Sequence, residues 1–422
     1  MTDASPSTAT RFSLISLLYV SQSVPLGFFI VAVPAILRDQ GLSLEYVGLL
    51  SVIAFPWLVK FAWAPVLDQY GSRERGHYRS WILPLQTLSV LCVTAIAWLD
   101  LSTQILWLAA IGAIFMLLSA TQDVATDGLA VRTLLASERG IGNGIQVGGY
   151  YLGQVLGGGA VLVAFQRYGW TTAVLAMAAV LALPLVPALR FRETPIEHDC
   201  DARVDEPRKV DFGSIKRFVN RDTSRVWLVV LLLYRAAETM AVTMVTPMLV
   251  DFGLSLVRIG LLMGVAGSVA SFAGALLGGA FVQRLGRKTS LLTFGAAQCI
   301  AIAALSVAVL LRPELAFVYP PILAIAFAGG MSTAALYTSM MDRSSQETAA
   351  TDFTVQQSLC AIGPLVASSL SGFSAALLGF GGHYGACVVV NVVCLVVIAR
   401  WLAREAPTSD GLAVAMVTGA GR

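Results

Sequence analysis

The sequence predicts an all-α membrane protein with twelve transmembrane helices in two pseudo-symmetric six-helix halves, and three observations predict it. The 422 residues are 57% hydrophobic and 13% charged, whereas soluble domains are about half apolar and about a quarter charged. Apolar runs of about 20 residues recur from end to end, each long enough to cross a hydrocarbon layer of about 30 Å as a helix. The decapeptide GLSLEYVGLL at 41–50 returns 212 residues later as GLSLVRIGLL at 253–262, with seven of its ten positions identical.

In chain order the spans cover 12–37, 46–67, 81–98, 104–130, 140–164, 171–189, 225–249, 258–282, 289–311, 317–340, 353–379 and 384–403. The first follows a short polar opening, MTDASPSTAT. Its apolar run is too long for a signal-peptide core and no small-residue cleavage site follows, so it is expected to stay as an anchor. The repeated decapeptide lies between spans 1 and 2 and again between spans 7 and 8. A second match lies beyond each of those pairs, with DQYGSRER at 68–75 after span 2 and QRLGRK at 283–288 after span 8. These echoes divide the chain into an N-terminal six-helix half at 1–189, a cytoplasmic linker at 190–224, a C-terminal half at 225–403 and a cytoplasmic tail at 404–422. The tail is too polar, and too broken by proline and glycine, to span.

Lys and Arg are retained on the cytoplasmic side of short loops. Of the 28 in this chain, Arg38, Arg167, Arg258 and Arg312 fall in loops on one side, Lys60 and Arg235 lie within spans, and all the rest fall on the side of the N-terminus. Both termini are therefore expected in the cytoplasm. The net charge of +3 is an orientation signal and implies no nucleic-acid partner. The six cysteines are scattered without CxxC or paired spacing, and His77, His198 and His383 sit in three different loops, so no metal or cofactor is expected. No nucleophile motif and no GxxxxGK[ST] loop is present, which argues against an enzyme. No segment is long enough for a sensor's output domain.

The paired loops resemble those of the major facilitator superfamily, whose motif is written G-x-x-x-D-[RK]-x-G-R-[RK]. Gly279, Arg284, Gly286, Arg287 and Lys288 fit it, with Gln283 in the acid's place; the first copy keeps Asp68, Gly71 and Arg73 but has Ala64 and Gln69 at pattern positions. The resemblance implies two halves that rock about a site near the midplane. It also implies a gating role for Asp68, Gly71, Arg73, Arg284, Gly286 and Arg287. A carboxylate at a helix C-terminus faces the negative end of the dipole and needs a cation or another helix's N-terminus nearby, which gives Asp68 its own physical interest. The alternative is a solvated loop acid. Glycines spaced by four, Gly140, Gly144 and Gly148 with Gly149, Gly153 and Gly157 in span 5, and Gly260, Gly264, Gly274 and Gly278 in span 8, let backbones approach closely. Spans 5 and 8 face each other across the halves in this superfamily. The span 5 pattern associated with antiport wants a proline where Gln154 follows Gly153, so antiport is disfavoured.

An ionisable side chain at the centre of a membrane helix costs at least ~2.5–3.5 kcal/mol, which makes it a functional candidate by default. Lys60 lies in span 2, Asp123 and Asp127 share a face of span 4, and Arg235 and Glu238 share a face of span 7. Two acids on one face repel and bind a proton more readily, while a nearby lysine opposes this. Lys60 with Asp123 is the preferred proton-coupling pair, with Asp127 beside it. A fixed structural ion pair is the alternative for Lys60 and Asp123, as a self-satisfied pair is for Arg235 and Glu238.

The phrases PWLVKFAWAPVLDQYG and QDVATDGLAV resemble the AmpG-type muropeptide permease and acetyl-CoA transporter branch. Within it, the chain from LLYVSQSVPLGFF onward is most similar to the RhtX/FptX-type siderophore permeases of the bacterial inner membrane, which take up rhizobactin or ferric pyochelin. This resemblance implies a secondary active transporter, a proton-coupled symporter, that imports an iron–siderophore complex from periplasm to cytoplasm downstream of an outer-membrane receptor. An anhydromuropeptide permease is the alternative. A cavity for such cargo should be broad and apolar with a few placed polar groups. The candidates are Arg235, Glu238, Gln22, Tyr150, Tyr151, Gln154, Tyr234, Tyr337, Gln356 and Gln357.

Overall fold

The computed structural model describes residues 7–39, 51–72, 76–101, 103–193, 210–220, 224–311 and 315–404. The first copy of the repeated decapeptide, Arg73, His198, Cys200, most of the linker and the tail lie outside the described residues. Twelve helical spans follow in order: α1 Thr8–Asp39, α2 51–69, α3 Arg79–Ile96, α4 Ile105–Thr133, α5 139–168, α6 170–190, α7 224–251, α8 256–285, α9 Arg287–Leu310, α10 Tyr319–Arg343, α11 349–378 and α12 380–404. A short helix, Gly213–Asn220, precedes α7.

Single glycines divide the longest helical runs. Gly169 (φ 79°) turns the chain between α5 and α6, and Gly379 (φ 68°) does so between α11 and α12. The φ is one that glycine adopts without steric cost. Their separation of 210 residues nearly matches the sequence repeat. Gly286 (φ 77°) makes the corresponding one-residue turn from α8 to α9. In the first half the positive φ falls on Gly76 and not on Gly71. Gly71 is needed for a different reason, since a Cβ there would lie 2.4 Å from the His77 ring.

Several spans are broken where the chemistry of the site collects. α1 carries Pro25 and then a π-helical turn at Phe28–Ala32. α2 alternates 3₁₀ and α pieces, with Lys60–Ala62 in a 3₁₀ turn between prolines 56 and 65. Proline removes a backbone donor and clashes with the preceding turn, and such interruptions locally re-aim side chains. α7 is interrupted at Tyr234–Arg235 and resumes at Ala236.

Large apolar side chains cover the outside: Trp98, Leu106, Phe373 and Leu377 are each more than 70% exposed. In water such a surface would drive association; against lipid it is the expected solvent-facing composition. Inside, the apolar clusters divide unequally. Toward the Lys/Arg-rich end, one cluster mixes Ile15, Tyr19, Val131 and Leu134 of the first half with Trp227, Leu291, Met340 and Phe353 of the second. Toward the opposite end the clusters stay separate, with Phe28, Val33, Phe115 and Val174 in the first half and Val245, Met248, Ile302 and Tyr384 in the second. Among the described residues, the halves are joined at the basic end and parted at the other.

Backbone contact between α5 and α8 makes that joint. A Cβ at Gly279 would lie 2.4 Å from the Gly140 carbonyl oxygen, one at Gly140 2.5 Å from that of Gly279, and one at Gly144 2.8 Å from that of Ala275. The expected helix 5 to helix 8 contact thus runs through Gly279. Gly274 and Gly278 instead pack on Phe327 and Met331 of α10, Gly149, Gly153 and Gly157 pack on α1, and a Cβ at Gly260 or Gly264 would meet nothing. Gly140, Gly144 and Gly148 therefore lie on the surface between halves, a Cβ at Gly148 meeting Phe272 and Leu276 of α8 at 3.2 and 3.7 Å, and five others of the pattern serve packing within a half. Gly279→Val should force α5 and α8 apart, raising labelling of engineered cysteines from the basic side and cutting transport at least tenfold while the protein still reaches the membrane; unchanged labelling would contradict this.

Candidate functional site

Lys60 is 4% exposed, in the 3₁₀ turn of α2. Its ammonium pairs with Asp123 Oδ2 on α4 and donates to Gln357 Oε1 on α11 at 2.6 Å. The indole of Trp57 lies 5.1 Å from the Nζ, so the charge is also faced by a π surface. Gln22 on α1 donates to the other oxygen of Asp123 and Ser119 holds the Gln22 carbonyl at 2.7 Å. Asp123 thus has both oxygens engaged, and Lys60 ties the first half to the second through Gln357.

One turn further along α4, Asp127 is fully buried. Its Oδ1 accepts from the Tyr19 hydroxyl at 3.0 Å and from Gln146 Nε2 at 2.9 Å, whereas Oδ2 is buried and accepts no hydrogen bond. An acid and its neighbour at i and i+4 have Cβ atoms about 5–6 Å apart. The two carboxylates therefore differ in kind: one is saturated by a cation and an amide, and the other keeps a buried oxygen free to take a proton. Its burial keeps Asp127 out of water.

Arg235 and Glu238 lie on α7, with Arg235 Nε 3.6 Å from Glu238 Oε2. Arg235 is within electrostatic reach of Tyr150 and Tyr151 on α5, across the interface, and of Tyr337 and Cys360 in its own half. Tyr150 is 40% exposed and meets Tyr151 edge to face at 5.5 Å, with Gln154 one turn along and within hydrogen-bonding reach. Tyr337 meets Phe353 in the same manner at 6.1 Å. Arg235, Tyr150, Tyr151, Gln154 and Tyr337 therefore gather in one place where the halves meet.

Two expected lining residues do not. Tyr234 is buried in the basic-end cluster and its hydroxyl donates to the Leu291 carbonyl at 2.8 Å. Gln356 accepts from Trp227 Nε1 at 2.7 Å and donates to the carbonyls of Met340 and Asp352, both at 3.0 Å. Successive helical residues point about 100° apart, so Gln356 turns into the core where Gln357 turns to Lys60. His383, expected in a loop, is buried in the first turn of α12 and bonded to the Met240 carbonyl at 3.1 Å. Among the described residues no group of three or more His, Cys, Asp or Glu side chains is placed to hold a metal ion.

The basic end closes over this space. Asp68 accepts from the backbone N–H groups of Ala350 at 3.0 Å and Thr351 at 2.8 Å, in the first turn of α11. That is the helix N-terminus its position requires. Tyr78 donates to the same carboxylate at 2.5 Å, and Arg132 lies over the Tyr78 ring at 4.6 Å. Gly128 leaves room for that ring, since a Cβ there would lie 2.4 Å from it. Further ties cross between halves: Arg139 to Asp342 at 2.8 Å, Arg287 to the Ala136 carbonyl at 2.6 Å and Arg132 to the Gln346 carbonyl at 3.0 Å. Arg287 also pairs with Asp342 at 2.7 Å, while Arg284 is exposed on the last turn of α8.

Sequence reasoning missed Tyr78, Arg132, Arg139, Asp342 and Glu193. Glu193, just beyond α6, accepts from the Tyr78 and Arg79 N–H groups at 2.9 and 3.1 Å; burial pushes its carboxyl above the ordinary range, against the pull of those donors and of nearby arginines. An acid among the arginines of the basic end was the available signal for Asp342 and Glu193.

Residues 15–367 match the model of the Major Facilitator Superfamily. The anhydromuropeptide permease of Escherichia coli (strain K12) is 26% identical over 393 residues, 92% of this chain and 79% of that one. A protein of Rickettsia prowazekii (strain Madrid E) that bears an AmpG transporter name is 23% identical over 373 residues, 86% of this chain and 88% of that one. Among solved structures, the Major Facilitator Superfamily transporter FucP matches with a TM-score of 0.70 at 12% identity, over 94% of this chain and 99% of that one, a likeness of fold. The branch expected from sequence is the one found. The siderophore cargo expected with it finds no support among these relatives, whose names favour the muropeptide alternative.

Removing one partner of a buried ion pair costs ~3–5 kcal/mol, because the other charge is left uncompensated. Lys60→Met should therefore lower the melting temperature in detergent, and Lys60→Met with Asp123→Asn should recover most of it while leaving transport lost; a double variant no more stable than the single would contradict the pairing. Asp68→Asn keeps the shape and removes the charge on the α11 N-terminus. Cysteines placed along the closed basic end should then react faster, with transport reduced about tenfold or more.

Proposed function

The chain belongs to the Major Facilitator Superfamily and is a multi-pass membrane transporter; from that premise we propose that it imports anhydromuropeptides from periplasm to cytoplasm across the bacterial inner membrane, coupled to protons. One observation carries the choice of cargo: the similarity to the E. coli anhydromuropeptide permease extends over 92% of the chain. The geometry is compatible with it. A space between the halves, walled by Tyr150, Tyr151, Tyr337 and Gln154 with a guanidinium at its side, offers flat apolar faces and placed polar groups to a molecule that is part sugar and part peptide.

With the basic end read as cytoplasmic from the distribution of Lys and Arg, the described state is the one closed toward the cytoplasm. In this state Asp123 neutralises Lys60. A proton arriving from the periplasmic side and taken up by Asp123 breaks the pair and leaves an ammonium in a dry site, held only by Gln357 and the Trp57 face. An uncompensated buried charge is costly, and opening the cytoplasmic end to water relieves that cost. Protonation thereby favours the inward-facing state, and Asp127, with its free oxygen one turn nearer the cytoplasm, receives the proton next. Release of the Lys60 to Gln357 bond and of Asp68 from the α11 N-terminus accompanies the opening.

Proteoliposomes under an inward-directed proton gradient should accumulate a labelled anhydromuropeptide and stop doing so when an uncoupler is added. Asp123→Asn should still exchange the cargo between the two sides but lose accumulation against a gradient. Accumulation of ferric pyochelin and not of anhydromuropeptide would overturn the choice of cargo, and uncoupler-insensitive accumulation would overturn the proton role.

A further inference from the structure

α1 and α4 meet in a ladder of side-chain bonds. α4 presents Ser119, Asp123 and Asp127 one turn apart on a single face. From α1, Gln22 donates through Nε2 to Asp123 Oδ1, and Tyr19, one turn earlier, donates to Asp127 Oδ1 at 3.0 Å. Ser119 returns a bond to the Gln22 carbonyl at 2.7 Å. Each buried acid of α4 therefore receives a hydrogen from α1. An ionised carboxylate only accepts, so the amide that meets Asp123 has to present its nitrogen.

α5 holds this part of α1 in place. A Cβ at Gly149 would lie 3.0 Å from Tyr19 Cβ, and one at Gly153 would lie 2.5 Å from the Val20 carbonyl oxygen and 2.7 Å from Ser23 Cβ. The turn that carries Tyr19 and Gln22 thus touches α5 through glycine and α4 through hydrogen bonds, and both side chains are buried. The charged and titratable groups that face Asp123 are few. Lys60 comes from α2, Asp127 from its own helix, Tyr19 from α1 and Tyr337 from α10. Gln357 of α11 reaches it through Lys60, Arg235 of α7 stands beyond Tyr337, and α3 and α5 carry their arginines at their ends. Among these neighbours Gln22 is a neutral donor bonded directly to the carboxylate.

We propose that Gln22 is a positioning residue for proton uptake: it holds Asp123 in its charged form and so sets the acidity at which the Lys60–Asp123 pair comes apart. A donor bonded to the charged form of an acid favours that form, and bonds to ionised groups are the stronger ones. Taking the donor away favours the protonated acid, so Asp123 then takes its proton at higher pH. This deepens the transport reading and rests on its proton role; it is independent of the cargo.

The test is infrared difference spectroscopy of the full chain in lipid nanodiscs, titrated with acid, following the carbonyl stretch of protonated carboxyl groups. The band that Asp123→Asn removes belongs to Asp123, and its midpoint is compared among variants. Gln22→Met keeps the length of the side chain and removes the donor; it should move the midpoint up by about one pH unit, a tenfold change in proton concentration. Ser119→Ala frees the Gln22 backbone and leaves the amide in place, and it should move the midpoint the same way by less. Gln356→Leu breaks a saturated amide in the core of the second half; it should lower the melting temperature and leave the midpoint where it is. A purely structural Gln22 would behave as Gln356 does. An Asp123 midpoint that stays put or falls in Gln22→Met overturns the inference alone, and where that variant does not fold, the absence of an upward shift in Ser119→Ala overturns it. If Asp123→Asn removes no titrating band, the proton role falls and the inference with it.

Discussion

An ammonium inside a membrane has to be neutralised or hydrated, and the partners of Lys60 decide how this molecule is arranged. Asp123 supplies the opposite charge from α4 and Gln357 supplies a carbonyl from α11. The first interaction lies within one half and the second joins the two. A change in charge at Asp123 is consequently felt at the boundary between halves, where Lys60 has only the amide to hold it. Gln22 fixes the carboxylate and is itself placed through the Ser119 bond to its backbone, so the pair is held from three helices. Desolvated ion pairs contribute little net stability against an apolar replacement, which makes a switching role a better physical reason for this one than simple strength.

Closure at one end gives that switch something to act on. The basic end combines an apolar cluster shared by both halves, backbone contact at Gly140 and Gly279, and Asp68 bound to two N–H groups of α11. None of these is individually large. Helix-terminus interactions are worth about 0.3–2 kcal/mol, within the range that proton or cargo binding can overcome. The opposite end carries two separate cores, so the proposed rocking of each half as a body would leave its own packing unchanged. Glycines against α1 and α10 keep those bodies dense, and Gly140, Gly144 and Gly279 let the α5 and α8 backbones touch at the joint, with Phe272 and Leu276 packed against Gly148.

Much of this was legible in the sequence. Charges are so scarce in an apolar chain that Lys60, Asp123, Asp127, Arg235 and Glu238 stand out on cost alone, and the dipole argument asks for a cation or another helix's N-terminus beside Asp68, of which α11 supplies the second. What sequence could not show was direction and partnership. Gln356 and Gln357 are adjacent and chemically identical, yet one is a saturated core amide and the other reaches Lys60. Tyr234 and Arg235 are likewise neighbours on opposite sides of a helix break. The ties from Arg139 to Asp342 and from Arg132 to the Gln346 carbonyl join residues about half the chain apart, and no local pattern marks such pairs. Cargo was the least legible, because a broad pocket with tyrosines and a guanidinium suits an aromatic iron chelate and a sugar-peptide alike. Similarity to an anhydromuropeptide permease over 92% of the chain favours the second.

The central claim is that neutralising Asp123 opens the basic end. Spin labels placed in pairs across the two halves, one pair at the basic end and one at the opposite end, report this by pulsed distance measurement in lipid nanodiscs. On lowering the pH, the account predicts a longer basic-end distance and a shorter distance at the opposite end, with Asp123→Asn showing the low-pH distances at every pH. Distances that ignore pH, or an Asp123→Asn protein that stays closed at the basic end, would contradict it.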